Sequence, residues 1–268
     1  MFRDTRCSAK IRLAELVEAL SFSPKQGQRF DKLSDADWVA QNNYHGVARP
    51  VNKLALFDCD GTLIDSQHNI CLAMEYAFAR VKLDPPSRER TRRIVGLSLV
   101  EAMQSLLPDA DHATHHALAD EYRNAFHSLR GRGLIEEPLY AGITEVLDAL
   151  VDDGWQLGVA TGKSDRGLDL CLRHHGIHAK FITLQTADRH PSKPHPSMVH
   201  KAMVEADASP QTTIVIGDTS FDMQMALRAG ARALGVSWGY HPAFELTHAG
   251  AFAIASHPRD IFGLMEAK

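Results

Sequence analysis

The sequence predicts an α/β fold: a doubly wound, Rossmann-like parallel sheet with an all-helical cap domain inserted into it. Three observations carry that expectation. From about Pro138 to the C-terminus, apolar runs of strand length alternate with helical patterns. Another such run, KLALF, stands far upstream at residues 53–57. Between them, residues 66–135 carry helical periodicity and turn signals, with nothing that reads as a strand. Repeated βα units require a parallel sheet covered on both faces, because each crossover lays a helix over the sheet. A helical block that interrupts the alternation after its first strand is then an insertion.

The elements follow in order. Residues 1–52 read as a mobile N-terminal extension: apolar residues recur at helical spacing from Ile11 to Leu20, and the remainder is polar and rich in turn formers. KLALF ends in Asp58 and reads as a buried strand. Ser66 is placed to cap a helix reaching about Lys82, and Pro85-Pro86 breaks the chain after it. Helical patterns then run from Ser87 to Val95, Leu99 to Leu107 and Asp111 to Leu129, the second opened by Ser98-x-x-Glu101, a capping-box spacing. Beyond Pro138, a helix from Ile143 to Asp153 stops at Gly154, and Trp155–Ala160 forms a strand. A helix capped by Ser164, the strand FITLQ and a helix from Pro196 to Ala206 follow. Strands at Thr212–Gly217, Ala231–Val236 and AFAIA are separated by a helix from Ser220 to Ala229, and a terminal helix starts at Pro258. The expected division is an extension over 1–52, a core over 53–65 and 136–268, and a cap over 66–135.

Composition excludes several function classes. The 268 residues are 44% hydrophobic and 23% charged, with a net charge of -4, the profile of a globular chain long enough to bury a core. No basic excess suggests nucleic acid. Four cysteines without a C-x-x-C pair argue for a reducing compartment. No apolar stretch approaches the ~18 residues of a membrane span, and the first thirty residues lack a secretory signal. A cytoplasmic protein is expected, with neither a membrane nor a nucleic acid as partner; its oligomeric state is left open. The histidines at 112, 115 and 116 sit on a helix read as solvated and give no zinc site.

Chemistry in open parallel sheets gathers beyond the carboxyl ends of the strands. After the first strand come Asp58-Cys59-Asp60-Gly61-Thr62. Residues two apart on an extended segment face one side, so both carboxylates converge while Cys59 points into the core. Thr161-Gly162-Lys163, after the second strand, offers a hydroxyl, an open backbone N–H and a cation, which suit a phosphate oxyanion. Lys193 lies in the proline-stiffened loop SKPHP. After TTIVIG come Asp218 and, four residues on, Asp222, a carboxylate pair suited to a hard cation.

In this order, FDCDGTLIDS, VATGKS, SKPHP and VIGDTSFDM resemble the four motifs of the haloacid dehalogenase-like hydrolase superfamily, over about residues 53–268. The helical insertion matches that superfamily's helical cap. RRIVGLSL, PLYAGI and GVSWGYHP add a resemblance to phosphoglycolate phosphatases. The resemblance implies Asp58 as nucleophile and Asp60 as general acid and base. It implies Mg²⁺ held by Asp58, Asp60 and Asp218, with Asp222 supporting that shell or orienting Lys193. Thr62, Thr161, Gly162 and Lys193 would bind the phosphoryl group. The substrate expected is a small phosphorylated metabolite, with 2-phosphoglycolate first among candidates. A β-phosphoglucomutase-like mutase, a sugar phosphatase, a pyrophosphatase and a non-catalytic interaction protein stay open. An aspartate at position 60 argues against dehalogenase and phosphonatase chemistry. Of the arginines at 88, 90, 92 and 93, Arg93 is the residue expected to read the substrate's far end from the cap.

Overall fold

The computed structural model describes residues 51–266. The expected extension therefore lies outside the described residues, apart from Val51 and Asn52. Asn52 already belongs to the first strand, whose side-chain amide donates to the Ala206 carbonyl at 2.9 Å.

Six strands form one parallel sheet: β1 (Asn52–Phe57), β2 (Trp155–Thr161), β3 (Phe181–Thr186), β4 (Ala208–Gly217), β5 (Arg232–Val236) and β6 (Ala253–Ala255). Their spatial order is β3-β2-β1-β4-β5-β6. The chain winds outward from β1 in one direction to β3, then returns to β4 and winds the other way, which is the doubly wound topology expected. Alternation along β1 shows why both faces need cover. Ala55 and Phe57 pack into one apolar core with Leu147, Leu172 and Ile261. Leu54 and Leu56 pack into the other with Val199, Met203 and Met223. The helices α5 (Ile143–Asp152), α6 (Asp165–His174) and α10 (Asp260–Glu266) cover the first face. The helices α7 (Ser197–Ala206), α8 (Ser220–Arg228) and α9 (Ala243–His248) cover the second.

Between β1 and α5 come four helices with a core of their own: α1 (Gln67–Arg80), α2 (Arg88–Arg92), α3 (Leu99–Leu106) and α4 (His112–Gly131). Met74, Phe78, Met103, Leu106 and Leu118 form its centre. The two segments linking this helical unit to the sheet run side by side. Ile64 and Leu139 form an antiparallel bridge, Asp65 N–H donates to the Pro138 carbonyl at 2.8 Å, and Tyr140 N–H donates to Leu63 at 3.1 Å.

Some details differ from the sequence reading. The helix expected from Ser87 to Val95 is a turn and a half, Arg88–Arg92. β4 begins at Ala208, earlier than Thr212. A helix at Ala243–His248 was not anticipated. Ser98 and Glu101 bond to each other through their side chains, without a side-chain cap on the backbone. A capping box forms instead at Thr219 and Asp222, which opens α8.

Candidate active site

The chain reverses its winding direction between β1 and β4, so the crevice at the carboxyl ends of these two neighbours is the topological switch point where such folds bind ligands. Asp58 follows β1 and Asp218 follows β4, and both are buried. One carboxylate oxygen from each of them and one from Asp222 lie within 4.8 Å of one another. Lys193, whose side chain is 0% exposed, bonds Asp58 Oδ1 and Asp222 Oδ1 at 2.6 Å each. Asp222 is itself fixed: its Oδ2 accepts from Thr219 N–H at 3.1 Å and from the Thr219 hydroxyl at 2.6 Å. The capping box of α8 is thus also the device that aims Lys193.

Asp218 is clasped from two directions. Thr62 Oγ1 donates to Oδ1 and Tyr240 N–H to Oδ2, both at 2.8 Å. Gly61 makes that approach possible. Its φ is +88°, and a Cβ there would stand 2.3 Å from Asp218 Oδ2 and 2.5 Å from the Tyr240 ring. Asp60 Oδ1 accepts from Ser66 Oγ at 2.5 Å and stands 3.0 Å from Lys163 Nζ. Cys59, between the two aspartates, is fully buried in the core, as expected.

The electrostatics follow from burial. Burial pushes the Asp58 carboxyl up to about 7 against the pull of Lys193, and the charges of Asp222 and Asp60 add to the rise. Asp218 is raised for the same reasons, burial first and then Asp58 and Asp222. Burial alone would lower Lys193, but Asp222 and Asp58 outweigh it and hold the ammonium above its usual range. Of these three buried carboxylates Lys193 bonds only two, and Asp58 Oδ2 is buried without a hydrogen-bond partner among the described residues. An excess of buried negative charge with an orphaned carboxylate oxygen fits a hard divalent cation.

A cleft of about 710 Å³ opens between this crevice and the helical unit. Asp58, Asp60, Thr161, Gly162 and Lys163 line it from the sheet side. The loop at 96–98 descends onto that floor: a Cβ on Gly162 would stand 2.6 Å from the Leu97 carbonyl, and Ser98 N–H donates to Ser192 Oγ at 2.8 Å.

The structure thus gathers Asp58, Asp60, Thr62, Thr161, Gly162, Lys193, Asp218 and Asp222 at one end of the sheet. Arg93 lies apart from them. Its guanidinium bonds Glu245 Oε2 at 2.7 Å, on α9 and outside the cleft lining. The arginines that line the cleft are Arg123, Arg130 and Arg166. Sequence reasoning also missed three residues around Asp60. Ser66 reads as a helix cap, yet it makes no side-chain cap bond and its hydroxyl serves Asp60. Tyr240 bonds that same hydroxyl at 3.1 Å. Glu137 lies 3.0 Å from Lys163 Nζ; its only sequence signal is an acidic pair just before the core resumes.

Comparison with known proteins agrees with this geometry. Residues 55–236 match the haloacid dehalogenase-like hydrolase family. A relative described as probable phosphatase IndB, from Dickeya dadantii, is 33% identical over 220 residues, which is 80% of this chain and 94% of that protein. A phosphoglycolate phosphatase from Pseudomonas putida is 29% identical over 192 residues, 70% of this chain and 71% of the relative. A crystal structure described as a predicted phosphatase from Clostridium acetobutylicum superposes with a TM-score of 0.72 at 26% identity, covering 81% of this chain and all of that one (100%). With the family match spanning most of the described chain and its motif residues converging on one crevice, this protein belongs to the haloacid dehalogenase-like hydrolase family and is an enzyme of its phosphatase type.

Proposed function

We propose that the enzyme hydrolyses a small phosphomonoester, 2-phosphoglycolate first among candidates, through an aspartyl-phosphate on Asp58. The observation that carries this reading is the division of labour between two carboxylates. Asp58 has one oxygen held by Lys193 and the other unpartnered, the state of a carboxylate ready to attack. Asp60 opens on the same cleft and is held by a hydroxyl and an ammonium.

The steps follow. An Asp58 oxygen attacks phosphorus, the ester P–O bond breaks, and Asp60 gives its proton to the departing alkoxide. Asp60 then takes a proton from water, which attacks the acyl-phosphate and releases inorganic phosphate. Lys193, the Thr161 hydroxyl and the Gly162 N–H meet the phosphoryl oxygens, with Asp222 orienting Lys193; the Thr62 hydroxyl, expected on the phosphate, is instead spent on Asp218. Mg²⁺ on the Asp58 and Asp218 carboxylates and the Asp60 carbonyl would neutralise phosphoryl charge.

For phosphoglycolate, a cation must meet the remote carboxylate. Arg123 pairs with Asp120 and Arg130 with Glu137. Arg166 lines the cleft beside the Thr161–Lys163 turn and has no ion-pair partner among the described residues, so it takes the role first expected of Arg93. The cleft also supports a second reading, a larger ester such as a sugar phosphate. Its volume and the apolar surface of Met74, Leu99, Tyr122 and Phe126 exceed what a two-carbon acid fills. A phosphate-release screen with Mg²⁺ and no bisphosphate activator tests both readings. Preference for phosphoglycolate supports the first, preference for hexose phosphates the second, and release from neither class overturns the proposal.

A further inference from the structure

A chain of alternating charges runs from the reacting crevice to the cap. Asp60 Oδ1 lies 3.0 Å from Lys163 Nζ, and Lys163 Nζ lies 3.0 Å from Glu137 Oε1. The other oxygen of Glu137 accepts from Arg130 Nη2 on α4. The inner side chains are nearly enclosed: Asp60 and Lys163 are 11% exposed and Glu137 is 5%. Glu137 sits in the second of the two paired linkers, next to the Pro138 carbonyl that accepts from Asp65. Its own carbonyl accepts from His175 Nε2 at 2.7 Å, which fixes its backbone to the sheet-side unit. Its side chain therefore spans the joint, with one oxygen on a sheet-side cation and one on a cap cation. Phe126, also on α4, lies under both Lys163 and Arg130, each 5.6 Å from the ring centroid.

We infer that Glu137 is a positioning residue for the general acid, acting through Lys163, and that Arg130 makes this positioning depend on the docked cap. Among the described residues, the Asp60 side chain is held by the Ser66 hydroxyl and the Lys163 ammonium. A lysine is a flexible point charge that goes where its counter-charges are. With Glu137 in place, Lys163 is stretched between two carboxylates. Without it, Lys163 is free to follow Asp60, and the acid loses a fixed mount. Arg130 belongs to the helical unit, so swinging α4 away would remove the partner that fixes Glu137. The consequence is that the leaving-group proton is delivered from a set position when the cap covers the substrate. This inference rests on the aspartyl-phosphate reading above.

The test compares kcat/KM, which reports the transfer from ester to Asp58 and not the later hydrolysis. The substrates are an alkyl phosphate, whose alkoxide must be protonated, and 4-nitrophenyl phosphate, whose phenolate leaves without help. For Glu137→Gln, and independently for Arg130→Gln, the alkyl ester should lose about 10- to 100-fold and the aryl ester less than about threefold. The double variant should be no worse than Glu137→Gln, because both act on one path. Glu137→Asp should recover part of the loss. Equal losses on both esters, or no loss on the alkyl ester, would overturn the inference while leaving the phosphatase reading intact. If Glu137→Gln fails to fold, Arg130→Gln decides alone. A wild-type enzyme that cleaves neither ester overturns the phosphatase reading and this inference with it.

Discussion

Asp58 shows how far one side chain's surroundings set its behaviour. Its charged form is disfavoured by burial and supported by Lys193, so the site is poised for a cation and an attacking oxygen at once. Asp58→Asn should drop kcat by at least about 10³-fold while the protein still folds, because an amide neither attacks phosphorus nor ligates well. The same variant carries a signature in stability. The folded carboxyl titrates near 7 against an ordinary 3.8, so folding favours its protonated form. That contribution is fully present below the unfolded value and is lost as pH rises through about 7. In chelator, the melting temperature of Asp58→Asn relative to wild type should therefore climb from pH 5 to pH 8. Addition of Mg²⁺ should raise the wild-type melting temperature and leave the variant's nearly unmoved. Activity should vanish on chelation and be suppressed by excess Ca²⁺, which takes more ligands in looser geometry. At the far end of the substrate, Arg166→Ala should lower kcat/KM for phosphoglycolate by about 10- to 100-fold, the worth of a charge-assisted hydrogen bond. Arg93→Ala should leave that ratio unchanged, since it removes an ion pair whose arginine is 48% exposed. The residues that sequence alone located all follow strand ends or their loops, where topology dictates direction. The direction of Arg93 was not legible in the sequence, because its partner Glu245 lies 152 positions away.

At the scale of elements, the same contrast between local and distant causes holds. β1, β2 and the helices α5 to α8 were legible because apolar periodicity, caps and glycine stops are written within each segment. α9 was not: six residues behind Pro242 are too few to show a period, and only Leu246, packed on the second face, anchors it. α2 was overextended because Ile94 and Val95 continue the apolar pattern, yet Gly96 at φ +97° turns the chain to seat the 96–98 loop on the sheet. Ser66 shows a cap signal diverted to chemistry. The contact between the 96–98 loop and the motif turn is close enough to test. Gly162→Ala would place a methyl 2.6 Å from the Leu97 carbonyl and 3.0 Å from that of Gly96. Both obstacles are backbone, so the loop must lift, and the Ser98–Ser192 bond with it. Because the displaced loop lies outside both sheet cores, the melting temperature should fall by no more than about 3 °C, while kcat/KM falls by about tenfold or more from misplaced substrate. A large loss of stability with normal activity would show instead that the loop yields freely.

Across the whole molecule, one insertion explains both the chemistry and the architecture. The sheet supplies a crevice at its switch point, and the helical unit leaves and re-enters through two paired linkers, the first of them just after Asp58. Any rotation about those linkers therefore moves the cap against Asp60 without disturbing Asp58, Lys193 or Asp218, which are held by the sheet and α8. Among the described residues no helix is long and apolar enough to cross a membrane. Among the described residues, two apolar cores flank the sheet, a third fills the cap and a smaller cluster joins Ile70, Val95 and Tyr240, all downstream of Val51. The site residues also all follow it. A chain beginning at Val51 keeps Asn52, whose side chain and backbone tie the start of β1 to Ala206 and Asp207. Such a chain should be soluble, melt within about 3 °C of the full-length protein, and retain kcat/KM within about threefold. Thermal melting and phosphate release on the two proteins side by side check this. Loss of folding on truncation would mean that residues 1–50 supply part of the structural core, and loss of activity with folding intact would place them at the cleft.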